Sequence, residues 1–141
     1  MAAAFQKFNA FTQDLARKVH DLGADNIYLM LTNTAPSAAN AVKADITEIA
    51  AGNGYTANGL QCPVTSCTQT GGVLKLVLSN PGAWTASGGS IGPFRYAVLY
   101  NATPVSKPLI GFYDYGSAVT LAAGEQFQGT FDATNGVLTI T

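Results

Sequence analysis

Charged side chains are scarce in this sequence: Asp, Glu, Lys and Arg make up 11% of its 141 residues, against about 25% in an ordinary soluble domain. Seven basic and eight acidic residues give a formal charge of −1. A nucleic-acid-binding domain carries a clustered positive excess, so the charge balance argues against nucleic acid as a partner. The hydrophobic fraction of 48% is ordinary, whereas disordered chains are charge-rich and poor in aromatic residues. We therefore expect a folded chain.

Histidine and cysteine are almost absent. His20 is the only histidine, and we expect it to be a solvated side chain on a helix rather than a catalytic base. Cys62 and Cys67 are five positions apart, which is about 16 Å in an extended strand, whereas a disulfide needs Cα atoms within about 7 Å. Two buried, reduced thiols are therefore expected. No spacing matches a metal site, a phosphate-binding loop or a nucleophile motif, so we expect no catalytic residue, no cofactor and no metal.

Long apolar runs are also missing. No stretch approaches the roughly 20 apolar residues that a transmembrane helix needs. Polar residues interrupt the first segment before an apolar core of signal-peptide length can form. The sequence therefore predicts a soluble protein that is made in a cytoplasm and has no membrane partner.

The N-terminal segment has helical periodicity. Its apolar residues recur every three or four positions, which places them on one face of a helix over residues 8–22, and Gly23 ends that helix. Short isolated helices are marginal in water, so this one must dock on something. Phe5, Phe8 and Phe11 are the candidate interface contacts with a partner; the alternative is that they cap the domain's own core.

The rest of the chain predicts β structure. Residues 38–51, rich in alanine, are expected to form one or two helical turns. Eight or nine short strands are separated by turn signals about every ten residues, which is typical of a sandwich or barrel. They are predicted at residues 27–32, 60–67, 73–79, around 84, and at 94–100, 109–115, 119–121, 125–131 and 137–141. We therefore predict a mainly β, single-domain β-sandwich over 1–141, with an N-terminal arm or helix (1–23) and a β body (24–141).

Aromatic residues are frequent in the β body and support two interpretations. Trp84, Tyr96, Tyr100, Tyr113 and Tyr115, if exposed on a sandwich, could stack on sugar rings as in a carbohydrate-binding module. The alternative is packing in the core and at interfaces, where aromatic residues dominate.

Several phrases of the sequence together resemble a family of small virion proteins of tailed bacteriophages. They are LMLTNTAP (29–36), ADITEIAAGNGY (44–55), IGPFRYAVLYN (91–101), PLIGFYDYG (108–116) and the late NGVL (135–138). The resemblance extends from Lys7 to Thr141. The members it is most similar to are capsid cement, or decoration, proteins with a jelly-roll fold. The segment between the two cysteines departs from the run of Thr, Ser and small apolar residues expected there.

The resemblance implies a non-enzymatic structural protein on the virion, most simply on the head surface, made in the host cytoplasm. Its partners would be the major capsid protein and itself, as a dimer or trimer. Such a subunit acts through contact area, and charge is depleted at the cores of protein interfaces. We hypothesise that the helix and residues 38–51 touch the capsid or a sister subunit. The alternatives are a tail or fibre component and a carbohydrate-binding module.

Overall fold

The structure is a computed structural model that describes residues 3–141. This part of the chain is mainly β, with several antiparallel sheets and one short α-helix, which confirms the predicted β-sandwich-like domain with a short N-terminal helix. The helix α1 spans Asn9–Ala16, and one 3₁₀ turn spans Lys43–Asp45. The strands are β1 (Gln6–Lys7), β2 (Ile27–Thr32), β3 (Leu60–Gln61), β4 (Val64–Thr70), β5 (Val73–Leu78), β6 (Trp84–Thr85), β7 (Ile91–Asn101), β8 (Leu109–Leu121), β9 (Gln126–Phe127) and β10 (Leu138–Ile140).

The largest sheet has five strands in the order β1-β8-β7-β2-β3. A three-stranded sheet, β10-β5-β4, and a two-stranded sheet, β6-β9, supply the other layer. Every pairing is antiparallel. Short connections join only two of the neighbouring pairs, residues 71–72 between β4 and β5 and residues 102–108 between β7 and β8, whereas most pairings bring together strands that are far apart in the chain.

The five-stranded sheet is buried on both faces. On β2, Leu29 and Leu31 contribute to a main core that also contains Leu76, Leu78 and Trp84 from the smaller sheets. Met30, which points to the opposite face, belongs to a second cluster, here called the outer core, made by Phe8, Met30, Val98, Tyr100, Leu109 and Phe112. This double burial explains why residues 27–32 form a continuous apolar run rather than an alternating one.

Residues 38–51 cover the outer core instead of forming a helix. One 3₁₀ turn is the only helical part, because the Asp45 carboxylate accepts the N–H groups of Ala41 (2.9 Å) and Val42 (3.1 Å) and closes the chain into a turn. Ile46 packs on the outer core. The predicted one or two helical turns are thus reduced to a single short one, because the segment follows the sheet surface.

The N-terminal helix is shorter than predicted. It ends at Ala16 rather than at residue 22, and Lys18 takes a left-handed conformation with φ of 63°. The chain then turns back, with the Val19 N–H donating to the Asp14 carbonyl (2.9 Å). After this break Leu22 packs into the main core at 4% exposure.

Strand β8 departs from simple alternation. Leu99 pairs with Gly111 and Tyr100 with Leu109, so β8 has one extra residue at this point, a β-bulge. As a result Ile110 lies in the main core while Leu109 and Phe112 lie in the outer core. Strict alternation over 109–115 would place Ile110 and Phe112 on the same side of the strand, and the bulge separates them.

Candidate functional site

The three predicted interface phenylalanines lie mostly inside the chain's own fold. Phe8 is 0% exposed and packs on Phe112 at 5.1 Å between ring centroids. Phe11 is 3% exposed in the main core. Phe5 is half-buried, with its ring 5.8 Å from that of Tyr113. Phe8 and Phe11 therefore act as core residues in this structure, the alternative left open by the sequence, and Phe5 alone borders a surface.

That surface is an aromatic cleft of about 440 Å³ between β7–β8 and the segment that follows β9. Besides the buried Phe94, six aromatic side chains border this cleft: Phe5, Tyr96, Tyr113, Tyr115, Phe127 and Phe131. Residues 125–131 were predicted as one strand, but only Gln126 and Phe127 pair with another strand. The remainder lies across the main sheet, and this irregular course forms one wall of the cleft.

A second, wider bulge in β8 shapes the opposite wall. Phe94 pairs with Val119 and Tyr96 with Asp114, so four β8 residues, 115–118, stand opposite the single β7 residue Arg95. All four are exposed. Gly116 has φ of 100°, which explains why glycine occupies this position. The sequence had two separate strands here, 109–115 and 119–121; the structure joins them as one bulged strand.

Tyr115 is the aromatic side chain that the bulge presents to solvent. It is 56% exposed, and its ring meets that of Phe127 edge to face at 6.3 Å. Large exposed apolar side chains are few among residues 3–141, the others being Val73 and Val105. Since Val105 and Val73 do not border the cleft, Tyr115 marks it as the aromatic surface open to a ligand or partner.

An ion pair stabilises the start of this second bulge in β8. Arg95 binds Asp114 in a bidentate manner, with Nε–Oδ1 at 2.8 Å and Nη2–Oδ2 at 3.0 Å. The Gly116 N–H donates to the same carboxylate (2.8 Å). The Arg95 hydrogen bonds, followed by that of Gly116, hold the pKa of Asp114 below its usual range. The guanidinium also lies 5.4 Å from the Tyr96 ring centroid, so its charge is matched within the fold.

The other charged side chain at the cleft, Asp132, is exposed and is held by local hydrogen bonds. The Asp132 carboxylate accepts the N–H groups of Thr134 (2.8 Å) and Asn135 (2.9 Å) and the Asn135 side-chain amide (2.7 Å). These bonds, led by those of Asn135, lower its pKa. Burial raises the pKa of the Tyr113 hydroxyl, which therefore stays protonated. The cleft is thus mainly aromatic, with Arg95 paired to Asp114 and the Asp132 carboxylate fixed by hydrogen bonds at its border, which suits a largely apolar contact.

Two aromatic residues of the sugar-stacking hypothesis lie in the interior. Trp84 is 1% exposed and Tyr100 is 1% exposed. Trp84 packs between Tyr55 and Phe127 at 5.9 and 6.0 Å, and among residues 3–141 its indole N–H has no hydrogen-bond partner. Neither ring can stack on a ligand, so any such role falls to Tyr115, Tyr113 and Tyr96.

His20 is buried, contrary to the expected solvated position. It is 5% exposed and lies 5.2 Å from the Phe11 ring, facing Asn101. The reason is the break in the helix at Lys18, which the apolar spacing did not predict. Both cysteines are free in the structure; Cys62 is buried as expected, but Cys67 is only half-buried.

Within residues 3–141, no three His, Cys, Asp or Glu side chains come close enough together to hold a metal ion. No helix in the same range is both long and apolar enough to cross a bilayer.

Comparisons with protein-family models, with curated proteins and with solved structures find no match for this chain.

Proposed function

We propose that this chain is a non-enzymatic virion structural protein, a cement or decoration subunit that binds the outside of a phage capsid and stabilises the lattice of the major capsid protein. The observation that carries the proposal is the aromatic cleft, an open and mainly apolar surface at the edge of the main sheet. The low charge of the chain and its resemblance to small phage virion proteins support the same function.

The physical basis is burial of apolar area. A partner side chain inserted between Tyr115, Phe127 and Phe131 would remove these rings from water at about 25 cal/mol per Å². Each contact is modest after the entropy of docking is subtracted. Many copies on a closed shell add through multivalency, and self-association as a dimer or trimer would match the symmetry axes of a capsid lattice.

The test is binding of the purified protein to heads that lack it, from the phage that encodes it. Tyr115→Ser removes the exposed ring at the cleft without touching a core residue, and we expect it to weaken binding about tenfold or more, as for a central aromatic contact. Val105→Ser is the matched control, because Val105 is 99% exposed and lies outside the cleft. Equal binding by wild type and both variants would contradict the role of the cleft.

A broader deletion is less informative. Removing residues 1–11 would delete Phe8 and Phe11 from the two cores, so lost binding would reflect lost folding. Mass analysis of separately purified heads and tails completes the test. A copy on the tail or fibre alone would favour the alternative of a tail or fibre component.

A carbohydrate-binding module is the second candidate, and the exposed ring of Tyr115 beside the polar segment at Gln128 and Thr130 favours it. Aromatic faces and amide groups are the groups that hold sugar rings. A glycan array decides the matter: a reproducible hit that Tyr115→Ser abolishes and Val105→Ser retains would replace the capsid hypothesis. Trp84 is not a suitable probe, because its substitution would disrupt the main core.

A further inference from the structure

A buried polar cluster outside the cleft joins the N-terminal part of the chain to the main sheet. It consists of His20, Asp25 and Asn101 and is here called the His20 cluster. Asn101, at the end of β7, is 0% exposed. Its side-chain nitrogen lies 2.6 Å from Asp25 Oδ2 and 3.1 Å from His20 Nδ1. His20 and Asp25 both belong to residues 17–26, the connecting segment between α1 and β2.

The partners of Asn101 determine which of its amide atoms faces the ring. The Thr103 N–H donates to one amide atom at 3.0 Å, and that atom must be the oxygen. The Asp25 carboxylate, which also accepts the Asp21 N–H at 2.8 Å, can only accept, so the atom facing it must be the nitrogen. The same nitrogen faces His20 Nδ1. It therefore donates there, and Nδ1 must carry a lone pair.

This arrangement selects one form of the imidazole. With Nδ1 as acceptor, the proton of the neutral ring is on Nε2, which is buried and has no hydrogen-bond partner among residues 3–141. A second proton on Nδ1 would point at the N–H group of Asn101. Rotating the amide would relieve that clash only by giving up the bonds to both Thr103 and Asp25.

The surroundings of the ring act in two directions. Asp14 from α1 and Asp25 from the connecting segment are the charged groups that favour the imidazolium; β7 contributes the uncharged Asn101, and α1 also contributes the ring of Phe11. Burial opposes them and is the larger effect, so the pKa of His20 is lowered from 6.5. The hydrogen-bond geometry acts in the same direction as burial.

We propose that the His20 cluster is a pH-sensitive hydrogen-bonded contact. It holds the connecting segment to the end of β7 while the imidazole is neutral, and it releases that segment when the imidazole is protonated. Leu22, within the segment, belongs to the main core, and Phe11 packs against the ring. Release therefore loosens the N-terminal edge of the fold. The inference does not depend on the partner of the cleft.

Hydrogen exchange measured by NMR between pH 7.5 and pH 5 tests the proposal. After correction for intrinsic exchange, the Asp25 amide, which is bonded to the Asp21 carbonyl at 2.8 Å, should lose protection relative to the Val98 amide in β7. The protection factor of this amide should fall by up to about 30-fold, which is the limit for an imidazole whose pKa is 6.5 once it is released. His20→Gln should remove this pH dependence, because glutamine can accept the Asn101 N–H but does not titrate.

Two further measurements make the outcome decisive. Val105→His in the His20→Gln background adds an exposed histidine, and it should not restore the pH dependence. Because His20 is the only histidine, its ring nitrogen resonances are unambiguous in the unaltered protein and should show the Nε2–H form at pH 7.5. A ring that carries its proton on Nδ1, or that becomes protonated while the Asp25 amide stays protected, would overturn the proposal even if His20→Gln does not fold.

Discussion

Replacing Phe8 by alanine tests whether the N-terminal phenylalanines are core residues or contacts kept for a partner. The Phe8 side chain is 0% exposed and packs on Phe112 in the outer core. Its N–H donates to the Ile110 carbonyl, so the surrounding backbone is held in place and cannot collapse freely into the void. Phe-to-Ala changes in such cores cost about 3–5 kcal/mol, a large part of the about 5–15 kcal/mol that stabilises a typical domain.

Urea unfolding at pH 7, followed by tyrosine and tryptophan fluorescence, measures this loss. Phe5→Ala provides a graded comparison, because Phe5 is half-buried and should lose only about 1–2 kcal/mol. Val105→Ala is the surface control and should change the free energy of unfolding by less than about 0.5 kcal/mol. A Phe8→Ala protein as stable as Val105→Ala would refute the reasoning and return Phe8 to the role of a contact for a partner.

Three more predictions concern acid, thiols and the bulge. Hydrogen bonds lower the pKa of Asp45, Asp114 and Asp132 in the folded state. The stability that these carboxylates contribute is therefore fully present above pH 3.8, their unfolded pKa, and is lost as the pH falls through their folded-state pKa values. The urea concentration at the midpoint of unfolding should fall between pH 5 and pH 2, and it should fall less for Asp132→Asn. Burial raises the pKa of Cys62 to about 12 and also raises that of Cys67, so at pH 8 a thiol reagent should label Cys67 before Cys62, and equal native rates would contradict the burial of Cys62. Gly111→Ala places a methyl group against the Phe5 ring and the Gln6 carbonyl, so it should separate β1 from β8 and lower stability by about 1–3 kcal/mol, whereas Ala118→Gly in the exposed bulge should change it by far less.

The sequence by itself determined the mainly β character of the chain. Residues 27–32 were predicted as a strand and form β2 with the same bounds, and 73–79 differs from β5 by one residue. These segments are decided locally, because their apolar, β-branched pattern lies between turn residues on both sides.

Only the tertiary structure decided the position of the functional surfaces. The helix ends at Ala16, and after this break His20 and Leu22 contact the β body; Asn101, which faces His20, is 81 positions away in the chain. The aromatic cleft brings Phe5, Tyr115 and Phe131 together from distant segments, across a bulge in which four residues stand opposite Arg95. Periodicity reports which residues of one element share a face, but it carries no information on which distant element covers that face. For that reason the sequence predicted the mainly β fold of this protein, whereas packing between distant elements determines the burial of Phe8, Phe11, Trp84 and His20.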